Sequence, residues 1–525
     1  GHGIVKIIEV SLWKISSEQM ASAILTLIVG AVVLLCFWLY RKFTVWKRNG
    51  IPTAKGFLPF VGHMLPTFMG KISFSDMITD MYNANKDHSM FGIYMATRPV
   101  LVVREPNLVK QVLQSNFTSF HENGLKIDPE VDTLLSKNPF FTYGETWVTG
   151  RKRITYAFSS MRLKTLFSAV HGVNKKFEDF LNRRLKSNNK YEVELKYLFS
   201  KYTGEVVANA GLGMEGMCFN DKVDPFAFDQ IGNMIFKKSL MGELLNLFTF
   251  LFPHMNKYLK HSFTPSKVDK YFRQIVHENL ELRRNESVPR NDFLQLMINL
   301  EKLEQTSDEK AIASHAFSFF VDGYETSSNT LSFVGYYLAA HQDVQEKLRR
   351  EVTDTIAKHG GELTYESLKE MTYMDQVISE SQRHYPALGV MNKVCTEEYV
   401  LRGSDGISYR MKPGDEIIIP VFGLHRDKKY WDDAKVFDPE RFSDSRKQSI
   451  DKMTFIPFGE GPRMCVGMRM ALLQLKSSLA TLIRSYKLEL SPKTRLPLVL
   501  APSSFLSTPR MTKEAVHARI MLQYA

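Results

Sequence analysis

An uninterrupted apolar run lies near the start of the chain. Residues 20–40 read MASAILTLIVGAVVLLCFWLY with no charged side chain, which is long enough for a helix to cross a bilayer. Four Lys or Arg residues follow within 41–48, and the positive-inside rule puts that end in the cytosol. Because the charges come after the apolar run, an uncleaved anchor is favoured over a signal peptide or a buried core helix. Residues 1–19 are expected to be a short leader, with Met20 as a natural initiator.

Helical spacing of apolar residues dominates the rest of the chain. It predicts long helices near 145–158, 308–341, 344–358, 373–385 and 465–486. Strand-like runs at 91–95 and 100–103 predict a hairpin, and runs at 407–411 and 415–420 flank a turn at Pro413-Gly414. We therefore expect a mainly α fold with a minor antiparallel β-sheet region.

No internal linker divides the large segment after the anchor. The expected organisation is a leader at 1–19, a transmembrane anchor at 20–40, a basic, proline-rich linker at 41–60 and one domain at 61–525. The stretch 236–258 is unusually apolar but too interrupted by charge to span a membrane. It predicts either a buried helix pair or a second patch that dips into the membrane.

Charge and cysteine content narrow the class of protein. The 525 residues carry a formal net charge of +12 and four cysteines. The cysteines lack C-x-x-C spacing, which argues against a disulfide framework or an all-cysteine zinc site and fits a reducing compartment. Lys/Arg runs and nucleic-acid motifs are missing, so no nucleic-acid partner is expected and the net charge is that of an ordinary basic surface.

The strongest chemical signal is a glycine-rich turn that leads into a predicted helix near Cys465. The segment reads Phe458-Gly-Glu-Gly-Pro-Arg-Met-Cys-Val-Gly467. A thiolate at a helix start gains from backbone N–H groups, which are expected to lower its pKa. Taken alone, such a cysteine is more often a small buried residue or a nucleophile paired with a histidine.

This segment resembles the haem-binding loop of the cytochrome P-450 superfamily, with Phe458, Gly461, Arg463, Cys465 and Gly467 at the fixed positions. The resemblance covers nearly the whole chain and is greatest to the microsomal animal type, in particular the insect clan that metabolises xenobiotics. It implies the cytochrome P-450 fold with an N-terminal transmembrane helix. It also implies haem (iron protoporphyrin IX) as cofactor and Cys465 as the iron ligand.

Further positions match the family's haem contacts. The resemblance implies that Phe458, Arg463 and Gly467 surround the haem, and that Trp147 and Arg151 donate to a propionate. Lys393 stands where the family usually has Arg, so it can reach a propionate only as a point charge. Glu380, Arg383 and Arg441 match a buried structural network behind the haem, to which we assign folding and haem retention.

The helix predicted at 308–341 carries polar groups within an apolar run. Glu325 and Thr326 match the family's acid–alcohol pair, which passes protons towards the oxygen site, and we assign them to catalysis together with Asp322. Asp322 replaces a small residue and lies one turn from Glu325, so mutual repulsion should raise one pKa. It either faces the distal pocket, where we hypothesise that it favours basic or hydrogen-bonding substrates, or turns away to pair with a neighbouring helix.

The resemblance implies a haem-thiolate monooxygenase that inserts one oxygen atom of O2 into a lipophilic small molecule, in xenobiotic or hormone metabolism. Electrons would come from NADPH through a separate cytochrome P-450 reductase, with cytochrome b5 as a further partner. The expected place is the cytosolic face of the endoplasmic reticulum membrane. The pocket is expected to include Phe319 and Phe320, and the expected reductase surface consists of Lys152, Arg153, Arg162, Lys164 and Arg469.

Two rival functions remain open. One is a haem-thiolate isomerase or dehydratase that needs no reductase; such relatives tend to lose the acid–alcohol pair, which is present here as Glu325 and Thr326. The other is a haem sensor or ligand-sequestering protein on the same fold, because a fold alone does not fix a function.

Overall fold

The computed structural model describes residues 17–186, 189–237, 240–252, 255–285, 290–306, 308–502, 504–512, 515–516 and 518–525. The leader expected at 1–19 falls outside these residues except for 17–19. The α-helices within them are α1 Ser17–Phe43, α2 Val45–Arg48, α3 Leu65–Phe68, α4 Phe74–Ala84, α5 Pro106–Lys110, α6 Gly144–Ala157, α7 Ser160–Leu185, α8 Leu195–Val206, α9 Phe228–Phe236, α10 Leu240–Leu251, α11 Asn256–Leu259, α12 Ser266–Asn285, α13 Phe293–Glu304, α14 Glu309–Ala340, α15 Gln342–Lys358, α16 Tyr365–Glu370, α17 Thr372–His384, α18 Val421–Arg426 and α19 Met468–Ser485.

The strands are short. They are β1 Met90–Met95, β2 Arg98–Val103, β3 Glu122–Asn123, β4 Tyr191–Glu194, β5 Met391–Val394, β6 Tyr399–Arg402, β7 Ser408–Met411, β8 Glu416–Ile419, β9 Tyr486–Leu490, β10 Met511–Thr512, β11 Ala515–Val516 and β12 Arg519–Tyr524. The expected mainly α fold with minor sheets is confirmed.

The largest sheet has the strand order β1-β2-β8-β5-β3, and β2 pairs with β8 in parallel while its other pairs are antiparallel. The hairpin of β1 and β2 is as predicted. The strands on either side of Pro413-Gly414 do not pair with each other, since β7 pairs with β6 and β8 joins the large sheet. The turn there passes the chain from one sheet to another, which local turn chemistry does not reveal.

The long central helix α14 organises the core. Its N-cap Asp308 accepts a hydrogen bond from the backbone N–H of Ala311 and satisfies one of the otherwise unpaired donors of the first turn. Its 32 residues are buried on almost every side, against α8, α12, α13, α17 and α19. A helix enclosed in this way gives a weak amphipathic signal. It is the helix on which the polar residues predicted for the site lie.

The apolar run at the N-terminus forms a helix whose segment Met20–Phe43 is long and apolar enough to cross a membrane and is not covered by the rest of the protein. The residues that follow pack on the domain. Trp46 is buried and donates a hydrogen bond from its indole to the Ile93 carbonyl, and Ile51 is buried as well. The segment 41–60 therefore fixes the end of α1 against β1.

The apolar stretch 236–258 has both buried and exposed side chains. Leu251 is buried in a cluster with Met64 and Ile78, and Phe250 packs at the edge of this cluster. Met241 and Tyr258 are exposed. One side of the stretch is thus core and the other is an apolar surface.

Candidate active site

The loop before α19 holds Cys465 through backbone geometry. The N–H of Cys465 donates to the carbonyl of Phe458 at 2.8 Å, which closes the turn. Gly461 has a φ of +73°, and a Cβ there would overlap the carbonyl oxygen of Leu113, so glycine is required on both counts. The thiol is enclosed by protein on most sides but keeps an accessible face.

The expected effect of the helix on this thiol is wrong. The helix begins at Met468, so Cys465 lies outside its first turn, and burial raises the pKa of the Cys465 thiol to about 11. A hydrogen bond from the Gly467 backbone opposes this rise without cancelling it. Without a bound cation the group is a thiol, whereas a coordinating metal ion would deprotonate it.

Three cations surround the same loop. Arg463 donates to the carbonyls of Pro139 and Thr142, both at 2.9 Å, and its guanidinium lies 4.4 Å from the Trp147 ring centroid. Arg151 donates to the carbonyl of Met464. The partners in these contacts are uncharged, so they do not balance the positive charges of the two guanidinium groups.

Lys393 lies in β5 and completes this group. It is 4 % exposed, and its ammonium donates to the amide oxygen of Asn123 at 2.8 Å. Burial lowers the pKa of Lys393 to about 7, and repulsion from Arg463 adds to the effect. Burial also lowers the pKa of Arg463, to about 10. Within the described residues, no carboxylate forms an ion pair with Lys393, Arg151 or Arg463, an arrangement that favours an anionic ligand.

The predicted network of Glu380, Arg383 and Arg441 is present and buried. Arg383 Nε and Nη2 donate to the two oxygens of Glu380 at 2.8 and 2.9 Å, and both side chains are fully enclosed. The guanidinium of Arg441 lies 3.4 Å from Glu380. Further donors of Arg383 reach the backbone carbonyls of His425 and Ala434. The network therefore ties α17 to the segment that leads to the Cys465 loop.

Glu325, on α14, forms a buried ion pair. Its Oε2 lies 2.8 Å from Lys196 Nζ, and both side chains are less than a tenth exposed. Lys196 also donates to Ser328, and Asn329 donates to the other oxygen of Glu325. Burial lowers the pKa of Lys196, and Glu325 opposes that change. The acid of the predicted pair is therefore held by a cation from α8.

The side chains of Thr326 and Asp322 form hydrogen bonds with groups outside this ion pair. Thr326 Oγ1 donates to the backbone carbonyl of Asp322 at 2.5 Å. Both carboxylate oxygens of Asp322 lie 3.1 Å from the amide nitrogen of Asn138, which belongs to the loop before α6. Asp322 pairs with a loop and not with a neighbouring helix.

The expected origin of the shift at Asp322 is also wrong. Its pKa is raised to about 7, but the cause is burial, against which the hydrogen bond from Asn138 works. Repulsion by Glu325 is not among the causes, and that carboxylate is paired with Lys196. The charge of Asp322 in turn adds to the effect of burial in raising the pKa of the Cys465 thiol.

Two expected pocket residues pack elsewhere. The Phe319 ring contacts the rings of Phe158 and Phe293, and Phe320 packs against Phe228 and other rings of the core. Their side chains fill the space between helices. The apolar run of α14 is buried, as the sequence predicts, but the two rings lie on a different side of this helix from the one predicted.

The sequence did not single out Lys196, Asn138 or Asn123, which are the partners of Glu325, Asp322 and Lys393. Lys196 carries a usable signal, because α8 is buried along its length and a cation in such a helix needs a buried partner. Asn138 and Asn123 lie in loops and carry no comparable local signal.

Comparison with known proteins agrees with this geometry. The family model described as Cytochrome P450 matches residues 52–514. "Probable cytochrome P450 6d5" of Drosophila melanogaster is 32% identical over 482 residues, covering 88% of this chain and 93% of the relative. "Cytochrome P450 9e2" of Blattella germanica is 31% identical over 516 residues, covering 92% and 95%. The chain belongs to the cytochrome P450 family of haem monooxygenases.

The residues of the site fit the haem of this family. A haem carries two carboxylates, and Lys393, Arg463 and Arg151 offer positive charge that no carboxylate of the described residues neutralises in an ion pair. Cys465 would supply the soft sulfur ligand that suits iron in this setting. Gly461 lets the backbone approach closely where a side chain would collide.

Proposed function

We propose that this protein is a membrane-bound monooxygenase that oxidises lipophilic small molecules in xenobiotic or hormone metabolism, with electrons from NADPH delivered by a separate reductase. The observation that carries the proposal is an exposed soft thiol, Cys465, in a loop whose Arg463 donates to Pro139, next to the Asn138 that holds Asp322 of α14. Haem bound at Cys465 supplies dioxygen activation, and its chemistry is tuned by the thiolate.

The side chains of α14 would handle protons. Thr326 carries a hydroxyl that can exchange its hydrogen bond to the Asp322 carbonyl for one to a ligand. Glu325 would accept and release protons on the path to the interior. Because Lys196 holds its carboxylate, Glu325 would have to leave that ion pair to do so. Trp147, Arg151, Lys393, Phe458, Arg463 and Gly467 would bind the cofactor.

The reductase surface would be smaller than the sequence suggests. Arg153 forms an ion pair with Glu304, and Lys164 forms one with Glu366. Lys152 and Arg469 are exposed on α6 and α19, the helices next to the Cys465 loop. We assign the docking of an acidic reductase, and of cytochrome b5, to these two residues together with Arg162.

We further propose that α1 anchors the protein in the endoplasmic reticulum membrane, with the domain on the cytosolic face. The charges at the C-terminal end of α1 support this orientation. Exposed apolar side chains on the first loops and on α10 and α11 would contact the same bilayer: Leu58, Phe60, Met69, Met241, Phe248 and Tyr258.

Two measurements test the function. The carbon-monoxide difference spectrum of the reduced protein should show the long-wavelength Soret band of a thiolate-ligated haem, and Cys465→Ser should abolish it. NADPH-dependent oxidation of a lipophilic probe, in vesicles with and without reductase, then separates the alternatives. Rearrangement of a peroxide without NADPH and without oxidation of the probe would indicate an isomerase, and tight ligand binding without turnover would indicate a sensor or sequestering protein.

A further inference from the structure

Asp322 has a neutral polar partner, unlike several carboxylates of the interior that pair with cations. Within the described residues, buried carboxylates pair with cations in Glu325–Lys196, Asp229–Lys201, Asp292–Arg283 and Glu380–Arg383. No such ion pair includes Asp322, whose polar partner is the Asn138 amide. A buried carboxylate without a cation is unfavourable, and a positively charged ligand would relieve this cost.

The orientation of Asn138 is fixed by the backbone. Its amide oxygen accepts the N–H of Phe140 at 2.8 Å, so its amide nitrogen must point at Asp322. Asn138 is fully buried, which prevents the amide from turning over to solvent. The carboxylate of Asp322 is therefore held in one position, and Asn138 occupies only part of its capacity to accept hydrogen bonds.

Asp322 lies close to the Cys465 loop. Its partner Asn138 precedes Pro139, whose carbonyl accepts a hydrogen bond from Arg463, two residues before Cys465. The Asp322 side chain also has solvent-accessible surface, so Asn138 does not cover it completely. The carboxylate is therefore placed where a substrate bound beside Cys465 can reach it.

We propose that Asp322, positioned by Asn138, is a recognition site for a positively charged nitrogen, and that the enzyme selects lipophilic ammonium compounds over neutral molecules of the same shape. This inference rests on the proposed monooxygenase function and names its substrate class. A charge pair at close range in a partly desolvated site gives a preference of roughly tenfold to hundredfold.

A matched pair of ligands tests the charge alone. The probes are phenylbutyl-trimethylammonium and its neutral carbon isostere, in which a tert-butyl group replaces the trimethylammonium group. Neither can ligate iron through nitrogen. The holoprotein is titrated by equilibrium dialysis as wild type, Asp322→Asn and Asp322→Ala. Asp322→Asn removes the charge but can still accept from Asn138, and Glu309→Gln removes an exposed charge from the same helix as a control.

We expect the wild type and Glu309→Gln to prefer the cation at least tenfold and both Asp322 variants to bind the two probes equally, with affinity for the neutral probe changed less than threefold. Equal binding by the wild type, or a preference that survives in Asp322→Asn, would overturn the inference. The same samples give the carbon-monoxide spectrum. A wild type with the thiolate band but without charge preference refutes only this inference, whereas loss of the thiolate band refutes the proposed function.

Discussion

Lys196 and Glu325 meet in the interior with 2.8 Å between Nζ and Oε2, although 129 residues separate them in the chain. The ion pair joins α8 to α14 next to Thr326. It distinguishes Glu325, whose partner is a cation, from Asp322, whose partner is an amide. The proton-handling role that we propose for Glu325 and the ligand-facing role that we propose for Asp322 therefore fall to different carboxylates.

Removal of Lys196 should destabilise the protein. Lys196→Met leaves Glu325 buried without its cation, which costs about 3–5 kcal/mol for a broken buried pair. Unfolding entropy of about 2 cal/mol/K per residue makes 1 kcal/mol worth roughly 1 °C in a chain of this length. We expect the melting temperature of the holoprotein to fall by roughly 3–5 °C. Lys196→Met with Glu325→Leu should recover most of this loss, and a double variant as unstable as the single one would contradict the assignment.

Replacement of Arg383 by lysine should be severe. Arg383 makes two hydrogen bonds to Glu380 and others to the carbonyls of His425 and Ala434, and lysine lacks the planar fork needed for all of them. Arg383→Lys should cost roughly 2–4 kcal/mol and lower the yield of protein with the thiolate Soret band. Arg410→Lys, at an exposed ion pair with Glu398, is the matched control and should leave both quantities unchanged.

The parts predicted from sequence are those that local patterns specify. Cys465 and the Glu380–Arg383 pair lie in short motifs, and the long helices follow from apolar spacing. Asn138 contacts Asp322 across 184 residues, and such a contact depends on the tertiary fold. The pKa of Cys465 also depends on the tertiary fold. The helix begins only at Met468, and burial of the thiol affects its pKa more than the nearby helix start does. The phase of Phe319 was missed because α14 is buried all round.

Lys393 should take up a proton when the protein binds haem. Burial lowers its pKa to about 7 from about 10.4 in an unfolded chain, so the cofactor-free fold loses stability as pH falls through this range. At pH 8 the amine is about 90% neutral, and pairing with a haem carboxylate would restore its charge, so that Lys393 takes up about one proton. Lys393→Met should therefore release about one more proton on haem binding than the wild type does.

Calorimetry of haem binding in two buffers with different ionisation enthalpies measures this difference, and the proton released from Cys465 is common to both proteins. Lys412→Met changes an exposed lysine and should match the wild type. Equal proton release by Lys393→Met and the wild type would show that Lys393 does not pair with the cofactor.

Charge reversal at two neighbouring positions of α6 should distinguish an exposed cation, Lys152, from one in an ion pair, Arg153. Lys152 is exposed, so Lys152→Glu should slow electron transfer from the reductase by roughly tenfold at low ionic strength, with the difference shrinking as salt screens the charges. Arg153 binds Glu304, so Arg153→Glu should instead lower the melting temperature by placing two acids together. Lys270→Glu, exposed on α12, controls for net charge. Stopped-flow reduction under carbon monoxide measures the rates, and a Lys152→Glu rate equal to that of Lys270→Glu at every salt concentration would remove Lys152 from the docking surface.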